Sequence, residues 1–264
     1  MKVLVLGTSH CGCVRLASDW IDRAYPTLEV DYYALPGAAH ARAMKIGSTF
    51  GPTPSYAYDC KMSKDWNGRL VVDLAPYAHI FHVGERFSMG AITRLMADFD
   101  VLEWPERSLR PVMSLSAARA LISSAVNEVV EMRHCVFEDD PRFTFMPAPY
   151  PLARGAQYGP GFEKNMTRLH DRTTAAQWSQ TYEDLISAAL AQYGYGFLPQ
   201  PMHTRQSCFA TKDRYARPKS SVQDVGDKVD NRHTNATYGQ AIFAAYALHH
   251  LGLSPEIAAL APQP

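Results

Sequence analysis

The chain opens on an unbroken apolar run, Val3 to Leu6 in "KVLVLG", the pattern of a strand buried on both faces of a parallel sheet. From His10 to Tyr25 the apolar positions Val14, Leu16, Ala17, Trp20, Ile21 and Ala24 recur at helical spacing, and Pro26 ends the pattern. Leu28–Leu35, β-branched and aromatic, is a second strand that stops at Pro36-Gly37. Strand, helix and strand within about 35 residues make a βαβ unit. Downstream, Leu70–Leu74 reads as a short strand and Ala78–Val83, Arg142–Met146 and Gly196–Leu198 as further ones. Amphipathic spacing predicts helices over Ser114–Arg133, Thr173–Tyr193 and Asn235–Leu251. Gly47–Gly68, rich in Gly, Pro, Ser and aromatics, reads as a long loop, and Met202–Asp230 as a polar loop without periodicity. Alternating strands and helices predict an α/β fold, a three-layer α/β/α sandwich around a parallel five-stranded sheet. No repeat or linker divides it. The expectation is one domain over residues 1–254, with insertions near 47–68 and 202–228 and a loose tail at 255–264.

Composition narrows the class of function. Apolar residues make up 47% and charged residues 20%, and 26 basic side chains balance 26 acidic ones. A chain with zero formal net charge and no basic run is not built for a polyanion, so no nucleic-acid partner is expected. The first apolar run is too short for a signal-peptide core, and no window approaches the roughly 18 apolar residues of a membrane span. The expectation is a cytoplasmic protein with no membrane span. Five cysteines (Cys11, Cys13, Cys60, Cys135, Cys208) are an odd set in a chain too long to need stapling, which favours reduced thiols. Cys11-Gly12-Cys13 lacks zinc spacing, and His79 and His82, three apart on a strand, point to opposite faces. No metal is expected, and nothing in the sequence specifies the oligomeric state.

The chemistry lies near the two ends. Gly7-Thr8-Ser9-His10-Cys11 follows the first strand, where open α/β sheets present residues to ligands. Ser9 and Cys11 are candidate nucleophiles there. Asp230 and His233 sit three apart just before the last helix, a spacing that brings both side chains to one side. An Asp that accepts the Nδ1–H of an imidazole leaves Nε2 to take a proton from a hydroxyl, so Ser9, Asp230 and His233 make a candidate triad in chain order Ser, Asp, His. Each has a plainer use: Ser9 as a helix N-cap, Asp230 and His233 as a surface turn. A nucleotide-binding module is a second reading, since Gly7 to Gly12 keeps two glycines of Gly-x-Gly-x-x-Gly, but the second strand ends in Tyr33-Ala34-Leu35 without an acidic residue for a ribose. A catalytically silent glycan binder using its 14 Tyr and 4 Trp is a third.

Ser9 in "VLVLGTSH" near the start, paired with Asp-x-x-His near the end, resembles the SGNH (GDSL-type) hydrolase family. Gly7-Thr8-Ser9 matches its first block, with Thr8 where the family has Asp, and Gly37 in "YYALPGAA" matches the second. Of the third block only Gly84 matches; Arg86 stands where Asn belongs and Phe87 where Asp belongs. Asp230 and His233 complete the last, and "HTNATYG" resembles a branch of uncharacterised and polysaccharide-biosynthesis-associated proteins. The resemblance implies a flavodoxin-like sheet and a serine esterase, an O-acyl hydrolase or transacylase on a carbohydrate or other small ester, working without cofactor. It implies Ser9, Asp230 and His233 as the catalytic groups and an oxyanion hole drawn from Ser9, Gly37, Gly84 and Arg86. Either Arg86 replaces the missing Asn as a donor, or a side chain such as Asn235 moves in, or the enzyme is weak. His10 and Asn235 are the expected substrate contacts. The partner is then a small-molecule or glycan ester.

Overall fold

The computed structural model describes residues 1–105, 108–153, 162–170, 172–217 and 233–256. Asp230, the 218–228 part of the second insertion and the tail from 257 lie outside the described residues. In chain order the elements are β1 (Lys2–Gly7), α1 (Cys11–Leu16), α2 (Ser18–Ala24), β2 (Glu29–Ala34), α3 (Gly37–Ala41), β3 (Met44–Ile46), β4 (Thr49–Gly51), α4 (Ala57–Asn67), β5 (Val72–Asp73) and β6 (His79–Glu85). There follow α5 (Met89–Asp98), β7 (Asp100–Val101), β8 (Val112–Met113), α6 (Leu115–Phe137), β9 (Phe143–Pro147), α7 (Phe162–His170), α8 (Ala175–Ala191) and β10 (Gly196–Phe197). The short β11 (Arg205–Ser207) and β12 (Ala210–Thr211) precede α9 (Ala236–Tyr246), which runs on into a π-helical turn at Ala247–Leu251.

Five strands form the central sheet in the order β10-β9-β6-β1-β2, every pair parallel. Counted by appearance this is 2-1-3-4-5, the flavodoxin-like doubly wound order. The chain leaves β1 toward one edge to make β2, then crosses to the other side for β6. A crevice opens at that reversal, beyond the carboxyl ends of β1 and β6, and in such sheets it is where ligands bind. Alternation along β1 divides the core: Val3 and Val5 face α1, α2 and α9, while Leu4 and Leu6 face the larger layer that includes α5, α6, α7 and α8. The sandwich expected from the sequence is the architecture observed.

Local departures have physical reasons. The first predicted helix is broken at Ala17 into α1 and α2. The stretch expected as a long loop from Gly47 holds β4 and the 11-residue α4. The buried positions of α4 are polar, Asp59 and Ser63, so apolar periodicity does not reveal it. Asp59 receives Arg42, Ser63 meets the Tyr33 hydroxyl at 2.8 Å, and Asn67 pairs with both backbone groups of Ala34 at 2.9 Å. The predicted strand around Leu70–Leu74 contributes only Val72–Asp73, and it pairs with β4 in a small antiparallel sheet rather than with the central one. The polar stretch after Met202 contains the β11–β12 pair.

Two devices hold the crevice. In the first, α3 is pinned to the sheet by a hydrogen bond between its His40 and His82 of β6, Nε2 to Nε2 at 3.0 Å, both rings fully buried. Burial, with the Arg133 guanidinium nearby, pushes His40 down to about 4 and His82 well below the usual imidazole range, so the pair is neutral. In the second, α9 lies on α1 so closely that a Cβ on Gly239 would stand 2.0 Å from the Cys13 carbonyl oxygen. Tyr246 of the same helix stacks on Phe81 of β6, centroids 4.2 Å apart and planes 7° from parallel.

Both devices generate measurable expectations. Gly239→Ala is expected to cost about 1–3 kcal/mol through overpacking, read as a lowered urea midpoint with unchanged slope; an unchanged midpoint would mean the helices separate freely. For the histidines, the unfolded chain takes up protons below its ordinary pKa of 6.5 while folded His40 resists until about 4, so stability is lost as pH falls between those values. Tm measured from pH 7 to 4 should therefore fall more gently in a His40→Leu/His82→Leu variant than in the parent; parallel slopes would remove the pair from the account.

Candidate active site

Ser9 sits where β1 turns straight into α1. Cys11 N–H donates to the Thr8 carbonyl at 3.0 Å and Gly12 N–H to the Ser9 carbonyl at 3.1 Å, so only three residues separate the strand from the helix. The tight elbow holds Ser9 half-buried at the crevice rim, and its N–H has no acceptor among the described residues. Thr8, where the family resembled has Asp, donates its hydroxyl to the Gly84 carbonyl at 3.3 Å and ties the elbow to the end of β6.

His233 reaches Ser9 from the far end of the chain. Its Nε2 lies 3.0 Å from Ser9 Oγ, a hydrogen bond spanning 224 positions. The backbone there is clamped on both sides. Arg217 N–H donates to the His233 carbonyl at 3.2 Å, Asn235 N–H donates to the Tyr215 carbonyl at 2.9 Å, and Ala216 bridges Thr234. Asn235 then caps α9, accepting from Tyr238 N–H at 3.1 Å and donating to the Arg214 carbonyl at 2.8 Å. His10 lies beside His233, ring centroids 5.5 Å apart and planes tilted by 33°. Asp230, the expected partner of the imidazole, lies outside the described residues.

Ser9 and His233 open onto a cleft with two lobes. One, of about 360 Å³, is lined by both of them with His10, Cys13, Arg15 and Arg217. The other, of about 690 Å³, shares Ser9, His233, Arg15 and Arg217 and adds Tyr32, Gly37 and Trp66. Gly37 opens α3, where helix geometry leaves amide donors without an intrahelical acceptor. Of the residues named from the sequence, Ser9, His10, Gly37 and His233 therefore border one cleft.

Three others are placed differently. Gly84 does not line the cleft. It has φ +98°, and a Cβ there would come within 2.2 Å of Thr8 Oγ1 and 3.0 Å of His10 Cβ, so its use is to let the elbow sit close on β6. Arg86 lines a separate pocket of about 210 Å³, with Met89, Pro147, Tyr150 and Tyr182, that meets the first lobe at His10. The next two residues, Phe87 and Ser88, adopt left-handed φ of 38° and 56°, and Phe87 drops fully into the core. Asn235 is spent on capping.

Sequence reasoning missed the polar cluster beneath. Glu85, last residue of β6, forms a buried ion pair with Arg133 of α6 at 2.5 Å and accepts Arg86 N–H at 3.1 Å. Its carboxylate and the facing nitrogens of His40 and His82 lie within 4.8 Å of one another, close enough for three metal ligands. That arrangement is better satisfied without an ion: the imidazoles bond each other, and the Arg133 charge beside the carboxylate repels a cation. The thiols are not competing nucleophiles. Cys11 and Cys13 are buried, and burial raises both, Cys13 to about 11, which keeps them protonated.

No helix among the described residues is long and apolar enough to cross a membrane. No protein-family model matches the chain, and no curated protein does. Among solved structures it is similar to the extracellular lipase from Streptomyces rimosus, with 13% identity, 92% of this chain and 96% of that chain covered, and a TM-score of 0.40.

Proposed function

We propose that the chain is a serine ester hydrolase of SGNH type acting on an O-acyl group of a carbohydrate or other small ester. The observation that carries this reading is the 3.0 Å contact between Ser9 Oγ and His233 Nε2, set in an open cleft at the reversal point of the sheet. His233 takes the Ser9 proton as the oxygen attacks the acyl carbon, then returns it to the departing alcohol. Ser9 N–H and Gly37 N–H hold the oxyanion, and Asp230 orients the imidazole through Nδ1, a role that rests on the Asp-x-x-His spacing. Water on the same path frees the acyl group; a sugar hydroxyl in its place makes the site a transacylase. The pocket beyond His10, walled by Met89, Pro147, Tyr150 and Tyr182, is the apolar space available to the acyl group.

Hydrolysis of a panel of acetylated sugars and p-nitrophenyl esters tests the reading. Ser9→Ala and His233→Gln are each expected to lower kcat by about a thousand-fold or more, and the double variant by little more than either, because the two groups act as a unit. Additive losses, or activity that survives Ser9→Ala, would contradict it. In the same assay Asp230→Asn is expected to lower kcat with little change in KM, since an imidazole held in the wrong tautomer cannot accept the serine proton. An unchanged kcat would remove Asp230 from the mechanism.

A further inference from the structure

The cleft around Ser9 carries two arginines and, among the described residues that line it, no carboxylate. Arg15 comes from α1, six positions after the nucleophile, and Arg217 from the segment that clamps His233; both border both lobes. Nearly every other described arginine that makes a side-chain contact is tied to an acidic residue or to backbone carbonyls of the core: Arg42 to Asp59, Arg133 to Glu85, Arg142 to Asp140, Arg172 to Asp100, Arg205 to Glu183. Arg15 and Arg217 have no such ion pair among the described residues. Arg15 uses one nitrogen on the Trp66 carbonyl at 2.7 Å, which fixes its head at the cleft and leaves the rest of its fork of donors available. Arg217 is anchored by its backbone to His233, and its exposed side chain makes no hydrogen bond with a described residue. Beside them the Tyr32 hydroxyl is shut off from solvent with no hydrogen-bond partner among the described residues, in a side chain that lines the larger lobe. Among the described residues, then, the cleft beside Ser9 presents two arginines without an acidic partner.

Resting on the hydrolase reading, we propose that the substrate is an ester of an anionic alcohol, a hydroxyl-bearing unit such as an acidic sugar that carries a carboxylate or a phosphate, with its charge held between Arg15 and Arg217. The side of the ester follows from the chemistry. The departing alcohol must receive its proton from His233, so it lies on the His233 side of Ser9, and that is the side Arg217 occupies. The acyl oxygen faces the amides of Ser9 and Gly37. Trp66 and Tyr32 in the larger lobe offer the flat apolar faces on which a sugar ring rests. A planar guanidinium fork matches a carboxylate or phosphate in two parallel hydrogen bonds.

The test compares esters matched except for charge: O-acetylated methyl glucoside, O-acetylated methyl glucuronoside and O-acetylated glucose 6-phosphate. Binding of the deacetylated compounds to Ser9→Ala is measured by calorimetry in parallel. The expected result is a kcat/KM roughly ten- to a hundred-fold higher for at least one anionic ester than for the neutral one. That preference should shrink toward unity in Arg15→Gln/Arg217→Gln and weaken with added salt, because exposed charges are screened. A preference for the glucuronoside identifies the carboxylate, and one for the sugar phosphate the phosphate. Equal kcat/KM on all three esters, or a preference that survives both substitutions, would overturn the proposal while leaving the hydrolase reading intact. If no ester is cleaved but an anionic sugar binds Ser9→Ala in an arginine-dependent way, anion recognition stands and the hydrolase reading falls. If there is neither hydrolysis nor such binding, both fall.

Discussion

Everything at this site depends on the two ends of the chain meeting. The nucleophile candidate is residue 9 and its base candidate residue 233, and what joins them is the close crossing of α1 and α9. That crossing requires Gly239, since any side chain there would strike the Cys13 carbonyl. It also requires Tyr246 against Phe81, which seats α9 on the central strand. Burying an aromatic side chain of that size contributes about 1.5–3 kcal/mol. The hydrogen bond between Ser9 and His233 is worth less than this net, about 1 kcal/mol. The helices therefore bring the residues together, and the bond reports the fit.

The second constraint is polar and buried. His40 and His82 bond one another beneath the cleft, with the Glu85–Arg133 ion pair next to them. Such groups are costly to bury and add little net stability, but breaking either partnership would strand a polar group or a charge in the core. Their effect is to hold α3, which Gly37 opens, against β6. Among the described residues that line the cleft above, the charged ones are Arg15 and Arg217, and the Glu85 carboxylate below it is paired with Arg133.

Much of this was legible in the sequence. The run Val3–Leu6, the β-branched second strand and the long helices near 115–137 and 175–191 follow from periodicity, which reports burial of apolar faces. Ser9 and His233 were legible because a hydroxyl and an imidazole stand at element junctions, where turn chemistry alone does not require them. What escaped is what apolar periodicity does not encode. The buried positions of α4 are Asp59 and Ser63, fixed by tertiary partners rather than by hydrophobic spacing. Met89, Ile92 and Met96 of α5 do carry helical spacing, but Ser88 at its N-cap is left-handed and gives its hydroxyl to the Ala125 carbonyl instead of capping the helix. Arg86 was aligned by its position after Gly84, and a short motif carries no information about which pocket the side chain lines. The His40–His82 pair joins residues 42 positions apart, and no local pattern announces it.

The central claim is that Ser9 is a nucleophile activated by His233. Labelling with a fluorophosphonate, which phosphonylates only an activated serine, followed by peptide mass mapping, tests it most directly. The account predicts a single adduct on the peptide carrying Ser9, absent in Ser9→Ala and slowed by about a hundred-fold or more in His233→Ala. An adduct on another serine, or labelling of Ser9 at the parental rate without His233, would contradict it.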